Sequence, residues 1–191
     1  KDKSTISKSS MDGQKILLSL HSDHIIQDVE SFQKSLKTAV PAAESGGIVT
    51  FGIIPSTPSS GFGYLRKGEI KNGLGELLDF IEKPDEKTAL EFLDSGQYLW
   101  NSGIFMLKAS TWIEQVRKHA PEIYEVCESA MDSSTKDGLF LRPESEIFKT
   151  CPSDAIDYAV MEKVVGNPEG PLCWVRSEEH TSELQSLVNI V

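Results

Sequence analysis

The chain has no long apolar run. None of its 191 residues falls in a stretch fit to span a bilayer as a helix, which takes about 20 mostly apolar residues. Cysteine is scarce: Cys127, Cys151 and Cys173 are odd in number and match no metal-ligand spacing. That argues against a disulfide framework and a zinc module, and the three read as reduced thiols of a cytoplasmic protein. Positive charge is also in deficit, with 19 Lys and Arg against 29 Asp and Glu, a net charge of -10. A general attraction to nucleic acid or to an anionic membrane is thereby excluded. Phosphate ligands are not, because a local Lys, Arg or metal ion overrides the surface field. The chain shows no internal repeat, no low-complexity tract, no initiator Met and no signal-peptide pattern. It is expected to begin inside a longer protein.

What is present is ordinary for one globular domain: 39% hydrophobic and 25% charged residues. Residues 1–13 are a polar lead-in and residues 14–175 the expected domain. Residues 176–191 begin with a segment that reads as an in-frame translation of a sequencing adapter. They are expected to be a non-native tail, leaving a domain truncated at both ends.

Strand and helix patterns alternate between these limits. The run 15–20 reads as a buried parallel strand, with His21-Ser22-Asp23-His24 just past its carboxyl end. Asp28 is placed to cap a helix that Pro41 should kink or end. Strands follow at 48–54, 63–66, 77–81 and 104–107. Asp85 caps a helix over 86–95 that ends at Gly96. Thr111 and Glu114 form a capping box, and Pro121 opens another helix. Ser153 or Asp154 should cap a helix running to Val164. The sum is an α/β fold, a mixed, mostly parallel sheet flanked by helices.

In such a sheet, ligands bind beyond the carboxyl ends of the strands. Asp23 sits at one of these ends, as either a Mg²⁺ ligand or a helix cap. His21-Ser22-Asp23 with His119 also fits a two-histidine, one-carboxylate iron site, although that motif belongs mainly to all-β barrels. Gly61-Phe62-Gly63-Tyr64 offers backbone that a sugar ring can approach closely, or a plain turn. In Phe80-Ile81-Glu82-Lys83-Pro84, a carboxylate can accept from vicinal hydroxyls and an ammonium can meet a phosphate. Both reach one ligand only if the strand bends there; otherwise they make a surface ion pair. In Tyr98-Leu99-Trp100-Asn101-Ser102-Gly103, Asn101 can donate to and accept from a hydroxyl, with Gly103 allowing close approach. Asp157 and Tyr158 read first as packing and capping, and Trp100, Phe105, Met106 and Trp112 as core.

Taken in order with Ala155-Ile156-Asp157-Tyr158-Ala159-Val160-Met161-Glu162-Lys163, these motifs resemble the sugar-1-phosphate nucleotidyltransferases. The resemblance is strongest to the mannose-1-phosphate guanylyltransferase family and covers roughly residues 16–165. It implies a Rossmann-like, GT-A-like domain that joins mannose 1-phosphate to GTP, with GDP-mannose and pyrophosphate as products. It also implies Mg²⁺ at Asp23, Lys83 on the phosphate, and sugar contacts from Gly63, Tyr64, Glu82 and Asn101. Asp23 and Lys83 are the implied catalytic pair. His21 stands where the family usually has proline. The family's Gly-rich nucleotide loop and second metal Asp fall outside the matching region, so the isolated chain is expected to be inactive. The expected partners are GTP and mannose 1-phosphate, with no nucleic acid and no membrane; a homo-oligomer is allowed. Another sugar-1-phosphate nucleotidyltransferase, or a non-catalytic sugar-phosphate-binding piece, stays open.

Overall fold

The computed structural model of the chain describes residues 12–21, 26 and 28–177. The strands are β1 (Ile16–Ser19), β2 (Ile48–Ile53), β3 (Tyr64–Lys67), β4 (Leu74–Ile81), β5 (Tyr98–Lys108), β6 (Thr135–Asp137), β7 (Phe140–Arg142) and β8 (Cys173–Ser177). Six of them form one sheet in the order β1-β5-β2-β8-β4-β3, and β6 and β7 make a separate exposed hairpin. The helices are α1 (Val29–Glu44), α2 (Glu86–Ser95), α3 (Ala109–His119), α4 (Pro121–Asp132), α5 (Ser145–Phe148) and α6 (Glu162–Val164).

The sheet has helices on both faces, which explains its continuous apolar strands. All of β2 is buried, and its residues alternate between two cores. Val49 and Phe51 face Ala39, Ala42 and Ala43 of α1, together with Ile104 and Met106 of β5. Ile48 faces the other way, with Leu65, Leu77, Phe105 and Leu107, against Trp112 and Val116 of α3 and Ile123 of α4. Fully burying a side chain such as Phe51 contributes about 1.5–3 kcal/mol. A third cluster joins Ile53, Tyr64 and Trp100 to Ala89 and Phe92 of α2.

The α/β class and the central mixed sheet are as expected, but "mostly parallel" needs correction. Among the described residues only β2 and β8 pair in parallel; the remaining pairings are antiparallel. Three of the antiparallel pairings are made by β5, an 11-residue strand that runs opposite to β1, β2 and β3 alike, and β4 makes the others, with β3 and β8. β5 is far longer than the four residues anticipated. β1 is an antiparallel end strand with alternating exposure, not a buried parallel one. β8 continues through Arg176 and Ser177, and Arg176 Nη1 donates to Gly73 O at 2.8 Å.

Three helix ends also differ from expectation. α1 continues through Pro41, where the lost N–H and ring clash cost about 3 kcal/mol mid-helix. Pro41 is exposed and one turn from the end, while Ala39, Ala42 and Ala43 are held in the core. α3 starts at Ala109, whose N–H donates to Lys15 O at 2.9 Å, and it has no capping side chain. Thr111 instead lies buried inside it and donates to Gly46 O at 3.3 Å. The helix expected to run to Val164 does end there, but no side chain caps it at residue 153 or 154, and its first part is a wide π-type turn over Asp157–Met161 before α6. The caps at Asp28 (to Ser31 N, 2.9 Å) and Asp85 (to Thr88 N, 2.7 Å) form as anticipated, and Gly96 ends α2.

Candidate functional site

A cavity of about 410 Å³ opens where the C-terminal end of β4, the middle of β5 and the π-type turn meet. Its lining includes four of the expected residues: Gly63, Glu82, Lys83 and Asn101. Each arrives there for a local reason.

Glu82 and Lys83 follow the last residue of β4, where consecutive side chains should face opposite ways. Lys83 has a φ of 46°, in the left-handed region that a non-glycine residue enters at a cost. That reversal is the bend the motif needed, and both side chains reach the cavity. Lys83 Nζ stands 3.3 Å from Glu82 Oε1. The Glu82 side chain is only 9% exposed, whereas that of Lys83 is 55% exposed. Burial pushes the Glu82 carboxyl above its ordinary range. The Asp157 carboxylate adds to this and Glu162 adds a little more, while Lys83 opposes them. Glu162 Oε1 also accepts from Glu82 N at 3.2 Å, tying α6 to the end of β4.

Asn101 owes its position to an irregularity in β5. Thr50 pairs with Phe105 and Gly52 with Asn101, so β5 takes two more residues than β2 over the same span. The bulge centres on Gly103, at φ 71°, and bulges of this kind re-aim side chains. Asn101 Nδ2 donates to Asp157 Oδ1 at 2.9 Å. Asn101 Oδ1 accepts from Gly103 N at 3.0 Å and from Thr50 Oγ1 at 3.3 Å.

Gly63 leaves room for the Glu82 carboxylate. A Cβ there would overlap Glu82 Oε2 and lie 3.3 Å from the Asn101 Cβ. Gly103 plays the same part for His21, whose imidazole Nε2 occupies the space a Cβ would take. The close approach anticipated for a ligand at Gly103 is thus made by His21. Phe62 and Trp100, with ring centroids 4.9 Å apart, supply an apolar wall.

Tyr64 is a correction. It is fully buried in the cluster beneath α2, and its hydroxyl bonds Ser59 N and Ser59 O, each at 3.0 Å. As the strand neighbour of Gly63 it points to the opposite face. Asp157 is a second correction: expected to pack or cap, it lines the cavity and holds Asn101. Its position on a π-type turn has no periodic signature, but such turns gather at functional sites. His21 also lines the cavity, whereas His119 ends α3 and is not among the lining residues. Asp23 lies outside the described residues. Among the described residues no group of three or more His, Cys, Asp and Glu is placed to hold a metal ion. Trp100, Phe105 and Met106 are buried, as expected, but Trp100 and Phe105 also line the cavity.

The arrangement offers a buried carboxylate, an oriented amide, an apolar wall and a cation at the rim. Such a set fits a polyhydroxylated ligand carrying a negative charge at one end. No helix among the described residues is long and apolar enough to cross a membrane.

The sequence profile of the nucleotidyl transferase family matches residues 4–166. The chain is 41% identical over 153 residues to mannose-1-phosphate guanylyltransferase of Escherichia coli K12, covering 78% of this chain and 32% of that protein. It is 45% identical over 148 residues to a putative mannose-1-phosphate guanylyltransferase of Vibrio cholerae, covering 77% and 32%. The chain therefore spans about a third of the length of these curated relatives. Among solved structures, a Thermus thermophilus protein described as a mannose-1-phosphate geranyltransferase superposes with a TM-score of 0.72 at 31% identity, over 87% of this chain and 45% of that one. A Helicobacter pylori protein described as a mannose-6-phosphate isomerase gives 0.74 at 30% identity, over 86% and 62%. With the profile matching most of its length and these relatives agreeing with it, the chain belongs to the nucleotidyl transferase family.

Proposed function

We propose that the protein containing this chain transfers a guanylyl group from GTP to mannose 1-phosphate, giving GDP-mannose and pyrophosphate, and that this chain supplies the sugar-phosphate side of the site. The observation that carries the proposal is the pairing of a 9% exposed Glu82 side chain with a rim-placed Lys83 beside Asn101 and Gly63. The names of the relatives supply the sugar and the nucleotide.

In this reading Glu82 accepts hydrogen bonds from hydroxyls of the hexose and Asn101 donates one. The face of the ring rests against Phe62 and Trp100. Lys83 neutralises the 1-phosphate, whose oxygen attacks the α-phosphorus of GTP in line as pyrophosphate leaves. That chemistry depends on positioning and charge neutralisation, with no covalent intermediate on the protein. Mg²⁺ at Asp23 is proposed from the family resemblance alone; bound there, it would supply charge stabilisation for the triphosphate.

Kinetics of Glu82→Gln and Lys83→Ala in the whole protein test the assignment. Loss of the Glu82 carboxylate should lower kcat/KM for mannose 1-phosphate more than for other hexose 1-phosphates, eroding discrimination. Loss of Lys83 should raise KM for every sugar 1-phosphate alike, by about tenfold for one charge-assisted contact. Wild-type kinetics in both variants would return the two residues to a strand-end ion pair.

A further inference from the structure

The hydrogen-bond capacity of Asn101 restricts what it can offer a ligand. A primary amide has two N–H donors and one oxygen with two acceptor sites. The oxygen of Asn101 is engaged from within the fold, by Gly103 N at 3.0 Å and by the Thr50 hydroxyl at 3.3 Å. Thr50 divides its single proton between that oxygen and Ile104 O, also at 3.3 Å. One amide N–H is taken by Asp157 Oδ1 at 2.9 Å. The second N–H has no partner among the described residues.

The geometry points to Asp157 as a positioning residue that holds Asn101 as a donor-only group facing the cavity. The inference rests on the reading of the cavity as a sugar-phosphate site, and it deepens that reading by assigning polarity. Gly103 N and Asp157 grip opposite ends of one planar amide. Turning it over would set N–H against N–H at Gly103 and oxygen against carboxylate at Asp157, which disfavours the flipped state at both ends. Around Gly63 the site therefore offers the sugar an acceptor, the Glu82 carboxylate, and a donor, the remaining Asn101 N–H. Both flank Gly63, against which the Glu82 carboxylate rests and from which the Asn101 Cβ is 3.3 Å away, measured from the position of a Cβ built there. A hydroxyl seated over Gly63 can give its proton to Glu82 and accept from Asn101. A hydroxyl completes both bonds, whereas a ketone or an ether oxygen completes only the second. The specificity follows from which partner donates and which accepts.

The π-type turn Asp157–Met161 gives this device its rigidity. Ala159, Val160 and Met161 are buried in the core, so the carboxylate is carried on a fixed frame.

The test uses two variants and two readouts on the purified chain. Asp157→Ala removes the acceptor. Asp157→Asn keeps an acceptor oxygen at the same reach and removes the charge. Thermal melts establish that each variant is folded. The first readout is the ¹⁵N-edited signal of the Asn101 side-chain amide without ligand. One of its protons should move upfield in Asp157→Ala and stay near its wild-type position in Asp157→Asn. An unmoved signal in Asp157→Ala overturns the proposal whatever the ligand does. The second readout is calorimetric affinity for mannose 1-phosphate. Asp157→Ala should bind about tenfold more weakly, the worth of about one hydrogen bond, and Asp157→Asn within about threefold of wild type. Equal weakening in both variants would mean that charge, not orientation, is what matters, and would overturn the proposal. If the wild-type chain does not bind mannose 1-phosphate while the amide signal moves as described, the positioning role stands and the sugar-phosphate reading falls.

Discussion

Replacing Gly63 by alanine perturbs the site through one added methyl group. The added Cβ would clash with Glu82 Oε2 and stand 3.3 Å from the Asn101 Cβ. Gly63 is not among the positive-φ residues, so alanine brings no backbone strain. The bond from Asn101 N to Gly63 O, at 2.7 Å, survives because it is made by the backbone. The cost therefore falls on the Glu82 carboxylate, the movable end of a side chain, which must leave its place and its 3.3 Å contact with Lys83. Overpacking costs about 1–3 kcal/mol, and a displaced side-chain tip belongs at the low end. At about 1 kcal/mol, the melting temperature of a domain this size should drop by about 2–4 °C. Binding should suffer more. A charge-assisted hydrogen bond contributes about 1.5–3 kcal/mol, so displacing the carboxylate should weaken mannose 1-phosphate binding by roughly 10- to 150-fold. Calorimetric titration beside a thermal melt separates the two effects. Wild-type affinity in Gly63→Ala would refute Glu82 as a sugar ligand; collapse of the fold would refute the low packing cost.

Two further outcomes concern Glu82 and Asp23. Burial first, and then the Asp157 carboxylate, raise Glu82 above its ordinary 4.5. A raised folded-state value means that the folded protein holds the proton more tightly than the unfolded one. Stability from this group is present below 4.5 and is lost as pH rises through the folded value. The melting temperature of Glu82→Gln relative to wild type should therefore climb as pH is raised from about 4 to about 7, and a flat difference would contradict the burial argument. In the whole protein, Asp23→Asn should keep helix-capping ability and lower kcat by about a hundredfold, the scale of a single electrostatic contact in catalysis. Near-normal turnover at limiting Mg²⁺ would return Asp23 to an ordinary turn residue.

Several residues of the candidate cavity are legible because polar residues at the edges of apolar runs are conspicuous. Glu82 and Lys83 stand between a strand and a proline, and Asn101 stands beside buried Trp100. What was not legible lay in irregular backbone. The bulge at Gly103 interrupts the period-2 pattern, so the first half of β5 carries no strand signature. Asp157 was hidden because a π-type turn follows neither the helical nor the strand period, and a carboxylate near a helix start reads as a cap. Tyr64 was misplaced because a motif groups neighbours in sequence, whereas a strand sends them to opposite faces. The mostly parallel sheet failed because strand direction is set by pairing across the sheet, and residues 98–108 carry no mark of three antiparallel partners.

The most direct test of the central claim is a crystal structure of the protein with mannose 1-phosphate bound. The hexose should lie over Gly63, with a hydroxyl within about 3 Å of both the Glu82 carboxylate and the Asn101 amide nitrogen, and with the phosphate beside Lys83 Nζ. A ligand bound outside this cavity, or inverted so that its phosphate faces Glu82, would contradict the assignment.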